Sequence, residues 1–449
     1  MIVWLVSAAW AFPTRAPYRP DTVAWEPGRA RDVLVVKLVE GALFDPTDPL
    51  LEGSEPLFRR NPDAIRADRA RHDPNRLLAD LTLYRRIQSS DVENRGTLLL
   101  ADPRVETAYL AFAPVRPPGG DIPPSTPDFV SAQGYLTSPP DGLGFDDAWT
   151  WSGGRGDAVA IADIEYDWLE THEDLGHTTG ALTLGWNSGA YEFHGTSVLG
   201  ELFGGDNGFG IVGMANEARP IVASPFSDVD VYDVAAMIDA TAAVLEPGDV
   251  LLIEQQAFSQ GNYCPIEIDP AVWDAVALAV AGGIVVVEPS GNGAQDLDDP
   301  KWDGWFQRDE RDSGAILVGG GASPLGLFPP RTWVAGGSSY GSRIDLQGWF
   351  DSIATATSDY EPDLFFPGDY DQAYTSVFGG TSGAATMIAA CAAIASSVSI
   401  HASGEPWDPW DLREALRNTG TPQPAKDAAA HPIGPQPDMR RFLRTWAVR

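Results

Sequence analysis

Three polar side chains far apart in the chain carry the groups that a hydroxyl nucleophile needs. Asp163 follows the apolar run Ala158–Ala162, His194 begins the stretch His194-Gly-Thr-Ser, and Ser382 lies within Gly-Gly-Thr-Ser382-Gly. A serine hydroxyl is a weak nucleophile at neutral pH and requires an adjacent base. A histidine supplies that base, and a carboxylate fixes its tautomer and orientation. Each residue alone is more often a turn or capping residue, but the order Asp, His, Ser with glycines beside two of them is far more specific.

A second serine competes for the role of nucleophile. Ser339 lies in Gly337-Ser-Ser339-Tyr-Gly341, which fits the G-x-S-x-G elbow of α/β-hydrolase esterases, and His401 and His431 follow it. That motif requires a helix directly after the serine. Because Arg343–Gln347 has the pattern of a strand, the esterase is the weaker alternative.

Alternating strand and helix signals must position these groups. Short, continuous apolar runs separated by helical patterns indicate a parallel sheet that is covered by helices on both faces. Functional groups in such folds gather at the carboxyl ends of the strands, where Asp163 would lie. The predicted fold class is therefore α/β, with a doubly wound, mainly parallel sheet. The strand-like runs are 158–162, 220–223, 250–253, 284–287 and 315–318.

The charge distribution divides the chain into two parts. Residues 1–125 hold 16 basic and 17 acidic side chains, whereas the remaining residues hold 14 and 46. Between them, Pro114–Pro127 has six prolines in 14 residues, which predicts an extended linker. We expect a small α+β domain over 30–113, the linker over 114–127 and the α/β domain over 128–449. Within the small domain the patterns predict strands at 33–39 and 105–111 and a helix around 75–87.

Composition excludes several classes of protein. The chain has 449 residues and a formal net charge of −33, which argues against a nucleic-acid partner because such proteins need a basic surface. No run of 18 apolar residues occurs, so no membrane span is expected. The two cysteines, Cys264 and Cys391, are too few for a disulfide framework; buried thiols are favoured slightly over a single bridge. Residues 1–12 are apolar but lack a positive start, which makes them a weak export signal.

These residues and their neighbours resemble the subtilisin-like serine peptidases, the subtilase family. The resemblance extends from about Gly156 to the C-terminus and includes His194-Gly-Thr, Ser290-Gly-Asn292-Gly and Gly380-Thr-Ser382. His172-Glu-Asp-Leu is similar to the family's H-P-D-L turn. After Asp163 this chain has Ile164-Glu165, where the family usually has Thr-Gly. The resemblance implies a seven-stranded, mainly parallel, doubly wound sheet.

The family resemblance implies a serine endopeptidase that hydrolyses a polypeptide substrate and requires no cofactor for the chemistry. Ser382 would attack the peptide carbonyl, His194 would take up and return the proton, and Asp163 would hold the imidazole. The Asn292 side chain and the Ser382 backbone N–H would donate to the oxyanion. Segments 250–256 and 287–291 would flank the substrate, which makes three of their residues candidates for substrate binding: Glu254, Glu288 and Gly291. A non-catalytic binding protein, with turnover blocked by the altered Ile164-Glu165 loop, is the alternative of a different class.

The small N-terminal domain is then interpreted as a propeptide that inhibits the enzyme until it is cleaved. An accessory domain that stays attached is the alternative. A peptidase held inactive in this way usually acts outside the cytoplasm, so we expect an extracellular or extracytoplasmic location. Structural calcium is an expectation of the acidic cluster Asp296, Asp298 and Asp299, although such a run more often faces solvent. No metal ligand set follows from the sequence.

Overall fold

The computed structural model describes residues 19–25, 29–43, 45, 47–49, 51–72, 78–112, 126–187, 189–228, 231–358 and 362–446. The chain separates into two units, residues 1–121 and 122–449. The N-terminal export signal lies outside the described residues, as does all of the proline-rich linker except its last two positions. The domain boundaries given above therefore stay predictions.

The first unit is a four-stranded antiparallel sheet with two helices. The order of its strands is β2-β3-β1-β4. The predicted strands are present, but the predicted helix is wrong in its second half, since 84–88 pairs with β1 as a strand; positions 73–77 lie outside the described residues. The elements are β1 (Arg29–Leu38), β2 (Ser54–Pro56), α1 (Pro62–His72), β3 (Tyr84–Gln88), α2 (Val92–Ala101) and β4 (Val105–Phe112).

The second unit is built on a seven-stranded sheet in which every pair of neighbouring strands is parallel. This confirms the predicted α/β class and the doubly wound sheet. The strand order is β15-β14-β13-β10-β5-β7-β6. The strands are β5 (Ala160–Ile164), β6 (Leu182–Leu184), β7 (Arg219–Ala223), β10 (Val250–Ile253), β13 (Val285–Pro289), β14 (Ile316–Gly321) and β15 (Leu346–Trp349).

Helices cover both faces of this sheet. Within the described residues, three further pairs of antiparallel strands lie outside it. The central strands β5, β10 and β13 are buried on both sides, so alternate residues enter two different apolar cores, whereas the edge strand β6 is exposed. The helices are α3 (Phe145–Ala148), α4 (Glu192–Phe203), α5 (Val234–Ala242), α6 (Pro270–Ala281), α7 (Gly380–Ser403), α8 (Pro409–Thr419), α9 (Ala425–Ala430) and α10 (Met439–Trp446). These antiparallel pairs are β8 (Phe226–Asp228) with β9 (Val231–Tyr232), β11 (Gln256–Ser259) with β12 (Asn262–Pro265), and β16 (Ile353–Ala356) with β17 (Tyr374–Phe378).

Helix α7 runs through the core beside α4, whereas α5 and α6 lie on the opposite face of the sheet. Its small side chains allow close approach to the sheet; a Cβ at Gly348 of β15 would lie 2.5 Å from the carbonyl oxygen of Ala384. Among the described residues, α7 is the one helix long and apolar enough to cross a bilayer, but most of it is buried inside the protein. Its composition is that of a core helix.

Candidate active site

The carboxylate partner of His194 comes from the residue that follows strand β5. Oε1 of Glu165 lies 2.6 Å from Nδ1 of His194, and Oε2 accepts a hydrogen bond from the backbone N–H of Tyr166 at 3.1 Å. The Glu165 side chain is 1% exposed. Because a carboxylate only accepts hydrogen bonds, Nδ1 of His194 carries the proton and Nε2 is the base.

Asp163 does not occupy the position that the sequence analysis gave it. It is buried inside β5. Asp163 precedes Glu165 by two residues and therefore points to the same face of the sheet. Neither of its carboxyl oxygens has a hydrogen-bond partner. Burial, with smaller effects from Glu165 and Glu254, raises its pKa well above the usual value, which favours the neutral form of Asp163. The strand continues to Ile164 instead of ending before Asp163, which is why the acid at its tip is Glu165.

His194 lies in the first turn of α4, which must approach β5 closely. The next residue is a glycine for this reason: a Cβ at Gly195 would lie 2.3 Å from the backbone oxygen of Asp167. Burial disfavours the imidazolium, but Glu165 favours it more strongly and Glu254 adds to this effect, so the pKa of His194 rises to about 9. Glu165 therefore stabilises the charged form that His194 adopts when it accepts a proton.

Ser382 lies in the first turn of α7 and is 8% exposed. Gly380, two residues earlier, has a φ of +84°, and a Cβ there would lie 3.2 Å from Oδ1 of Asn292. Only glycine enters this left-handed turn without strain. The turn directs the start of α7 towards the same cleft that His194 lines.

Asn292 follows β13 and is fixed by two hydrogen bonds to Thr381. Its Oδ1 accepts from the backbone N–H of Thr381 at 2.9 Å and from the Thr381 hydroxyl at 3.1 Å. Its own backbone N–H donates to Oε1 of Gln256 at 2.9 Å. Since Oδ1 faces these donors, the other end of the amide, Nδ2, is the donor that Asn292 can offer to the cleft.

Ser382, His194 and Asn292 line one cleft of about 340 Å³. Of the three predicted substrate-binding residues, only Glu254 is among the residues that line it. Glu288 is fully buried beside Glu267 and Arg343, and burial, followed by Glu267, raises its pKa well above the usual value. Gly291 packs instead against the backbone of Cys264, where a Cβ would approach within 2.9 Å. Residues of both expected flanking segments line the cleft, but Glu288 and Gly291 are not among them.

Sequence reasoning missed the aromatic residues that line the cleft. They are distant in the chain and carry no spacing signal. Tyr166 lies beside Tyr191 with ring centroids 5.4 Å apart, and it stacks on Tyr232 at 6.2 Å. Glu165 itself had a signal, because it is the acid two residues after Asp163 and so shares its face of the strand. The missed aromatic lining residues are Tyr166, Tyr191, Phe193 and Tyr263.

The competing nucleophile, Ser339, lies outside the cleft. It is fully buried, and its hydroxyl accepts a hydrogen bond from the backbone N–H of Gln295 at 3.2 Å. His431 stacks on Trp333 with centroids 4.1 Å apart, and His401 pairs with Asp157 at 3.0 Å. The two histidines that the esterase hypothesis offered are thus engaged elsewhere.

The residues expected to bind calcium make local hydrogen bonds. Asp296 accepts from the backbone N–H of Asp298 at 3.0 Å, and Asp299 accepts from that of Lys301 at 2.9 Å. Asp298 accepts from the N–H of Ser342 at 2.9 Å and from its hydroxyl at 2.6 Å. The contacts of Asp296 and Asp299 are turn and cap interactions, whereas Asp298 joins a segment 44 residues further along the chain. Both cysteines are buried thiols.

A seven-stranded parallel sheet with a serine, a histidine and a carboxylate at its edge defines a class of hydrolases, and comparison with known proteins identifies the family. The model of the subtilase family matches residues 167–434, more than half of the chain. The chain therefore belongs to the subtilase family and is a serine-type endopeptidase. A search of curated proteins found no match.

Solved structures agree with this fold. A protease from Pseudoalteromonas arctica superposes with a TM-score of 0.52 at 17% identity, covering 72% of this chain and 99% of that one. The prenylagaramide maturation protease PagA is also similar, with a TM-score of 0.49 at 17% identity, covering 67% of this chain and 97% of that one.

Substitution of Asp163, within β5, and of Glu165, directly after β5, gives a direct test of the site. Glu165→Gln should lower kcat by several orders of magnitude, about 10⁴-fold, because an amide no longer enforces the imidazole tautomer. Asp163→Asn is the matched control and should retain wild-type kcat, since Asp163 makes no hydrogen bond to His194 and its burial favours a neutral side chain. Steady-state hydrolysis of a peptide substrate by both variants measures this. A larger loss in Asp163→Asn than in Glu165→Gln would restore Asp163 as the acid.

Proposed function

We propose that Ser382, His194 and Glu165 form the catalytic triad of this endopeptidase. The observation that carries the proposal is the 2.6 Å contact between Glu165 and Nδ1 of His194, which leaves Nε2 for the cleft that Ser382 also lines. The altered loop residue that suggested a non-catalytic protein is thereby given a catalytic role. The Glu165 carboxylate is the group that the His194 imidazole requires for its orientation and tautomer.

In the proposed mechanism, Nε2 of His194 removes the hydroxyl proton of Ser382 while Oγ attacks the carbonyl carbon of the substrate. Glu165 stabilises the imidazolium that forms. Nδ2 of Asn292 and the backbone N–H of Ser382 donate to the oxyanion of the tetrahedral intermediate, and the start of α7 adds its dipole. His194 then returns the proton to the leaving amine, and water repeats the sequence on the acyl-enzyme.

The nucleophile can be identified with a fluorophosphonate probe that labels active serines. Ser382→Ala should abolish both labelling and peptide cleavage without loss of the folded state, because the hydroxyl forms the covalent bond. Ser339→Ala is the matched control and should be labelled like the wild type, since Ser339 is buried away from the cleft. Mass spectrometry of the labelled peptide locates the adduct. An adduct on Ser339 would establish the esterase alternative.

Asn292→Leu should lower kcat by about 10²–10³-fold with little change in KM, because the lost hydrogen bond is made mainly in the transition state. The aliphatic side chain preserves approximate volume but cannot donate. Measurement of kcat and KM on one peptide substrate separates the two parameters. An effect confined to KM would place Asn292 in substrate binding instead of the oxyanion hole.

We further propose that the first unit is an inhibitory propeptide and that the enzyme acts outside the cytoplasm. Its support is the separate folding unit at 1–121 and the contrast between its near-neutral charge and the acidity of the remainder. A polypeptide that occupies a cleft and is later cut from the enzyme suits a protease that must stay inactive during export. Structural calcium, common in the family, stays part of this proposal without an assigned site.

Maturation tests the propeptide proposal. Purified wild-type protein should separate into two pieces near the proline-rich segment 114–127, which is the expected point of proteolytic access. Ser382→Ala should stay whole, because it lacks the nucleophile that makes the cut. Intact-mass measurement over time distinguishes the two. Full activity in an uncleaved wild-type chain would indicate a permanent accessory domain.

A further inference from the structure

The base of the cleft holds one more carboxyl group than the proposed triad uses. Glu254 follows β10, is 5% exposed and lines the cleft with Ser382 and His194. One oxygen of Glu254, one oxygen of Glu165 and a ring nitrogen of His194 all lie within 4.8 Å of one another. The histidine is therefore close to two carboxyl groups, of which only Glu165 makes the 2.6 Å hydrogen bond.

The Glu254 carboxyl group has few partners of its own. Its Oε1 accepts a long hydrogen bond of 3.5 Å from the Thr386 hydroxyl, and its Oε2 is buried without a partner. Besides Thr386, the Ser382 hydroxyl is near enough to Glu254 to favour its charged form. A buried carboxylate in such a poor hydrogen-bonding environment is costly, and this cost favours the uptake of a proton by Glu254.

The charged and titratable groups that face Glu254 come from β5 and α4. Asp163 and Glu165 belong to β5 and its end, and Glu201 and His194 belong to α4. Helix α7 contributes only the two hydroxyls. Asp163 and Glu201 are fully buried, their oxygens have no partners, and burial raises the pKa of each well above its usual value. Within the described residues, the imidazolium of His194 is the one cation among these groups.

We propose that Glu254 is a positioning residue for the proton of His194. As a carboxylate, Glu254 favours the imidazolium and so keeps His194 from acting as a base. As a neutral acid, it removes that attraction and releases Nε2 to accept the proton of Ser382. No other bond changes, since the proton moves only between His194, Glu254 and solvent. The inference rests on the proposed triad. It adds a fourth residue, Glu254, whose charge controls whether His194 can accept the proton of Ser382.

Substrate binding should favour the competent form. The charged arrangement, imidazolium with two carboxylates, and the neutral arrangement, imidazole with a protonated Glu254, contain the same number of protons. A bound peptide displaces water from the cleft, and loss of water penalises the arrangement with more charges. The proton is then transferred from His194 to Glu254 as the substrate enters, which prepares the base at the moment it is needed.

The direction of the pH effect follows from the charges. Burial raises the pKa of Glu254 to about 8, although His194 opposes this, and Glu254 in turn contributes to the raised pKa of His194. The base form of His194 appears as pH rises. If the Glu254 carboxylate is removed, the imidazolium loses one stabilising charge, and the base form appears at lower pH.

The test compares Glu254→Gln, which has the same shape without the charge, with wild type. The rate of fluorophosphonate labelling at Ser382 should be measured from about pH 5 to about pH 10 in the full-length protein. In Glu254→Gln the midpoint of the acid limb should fall by about one pH unit, as a charge at this distance shifts a pKa by about one unit or more. Labelling below that midpoint, relative to the plateau, should rise about tenfold.

Glu201→Gln is the matched control, because Glu201 is equally buried and faces Glu254 without lining the cleft. It should keep the wild-type midpoint. Should Glu254→Gln fail to fold, Glu254→Ser removes the same charge with a smaller neutral side chain and carries the same expectation.

Two results would overturn the inference: a midpoint in the charge-free variants equal to that of wild type, or a folded Glu254→Gln protein that is not labelled at any pH. The second result would make the carboxyl group indispensable to the reaction. Failure of the proposed triad looks different, because wild-type protein itself would then not be labelled at Ser382.

Discussion

The hydrogen bond between Glu165 and Nδ1 of His194 is the interaction on which the geometry of the candidate active site depends. It forms only because β5 continues one residue past Asp163 and then releases Glu165 at the edge of the sheet. Helix α4 must approach that edge closely, and the absence of a side chain at Gly195 permits it. The same contact fixes the tautomer of His194 and stabilises its charged form, so one geometric constraint sets both orientation and basicity.

The rest of the site follows from the parallel sheet. The carboxyl ends of three neighbouring strands, β5, β10 and β13, bring Glu165, Glu254 and Asn292 to one edge, although almost 130 residues separate the first from the last. Helices α4 and α7 begin above this edge and supply His194 and Ser382. Close packing of α7 requires small residues in the helix and in β15, which explains why the longest helix is also among the least bulky.

Much of this arrangement could be predicted from the sequence, because the motifs around His194, Asn292 and Ser382 are local. The structure explains two residues of the Ser382 motif. Gly380 leaves room for Asn292, and the backbone N–H of Thr381 donates to Asn292. The acid could not be placed in the same way. Asp163 and Glu165 share one face of a strand, and which of them meets the histidine depends on where the strand ends, a tertiary property. Glu288 was misplaced for a related reason, since the alternation within β13 turns it away from the cleft into a buried cluster with Arg343.

The acidic residues of the chain fall into two groups, exposed and buried, which the formal charge of −33 does not distinguish. Many acids on the surface begin helices and turns, as Asp269 and Asp408 do by accepting backbone N–H groups. Asp163 and Glu201, in contrast, are buried, and burial raises the pKa of each, which favours the neutral form. Such groups bind protons more tightly in the folded than in the unfolded chain, so the stability they contribute declines as pH rises from the unfolded pKa towards the folded one. Asp163 and Glu201 therefore lower the stability of the fold at neutral pH. A buried carboxyl group without partners costs free energy of folding, and of Asp163, Glu201 and Glu254 only Glu254 lines the cleft beside His194.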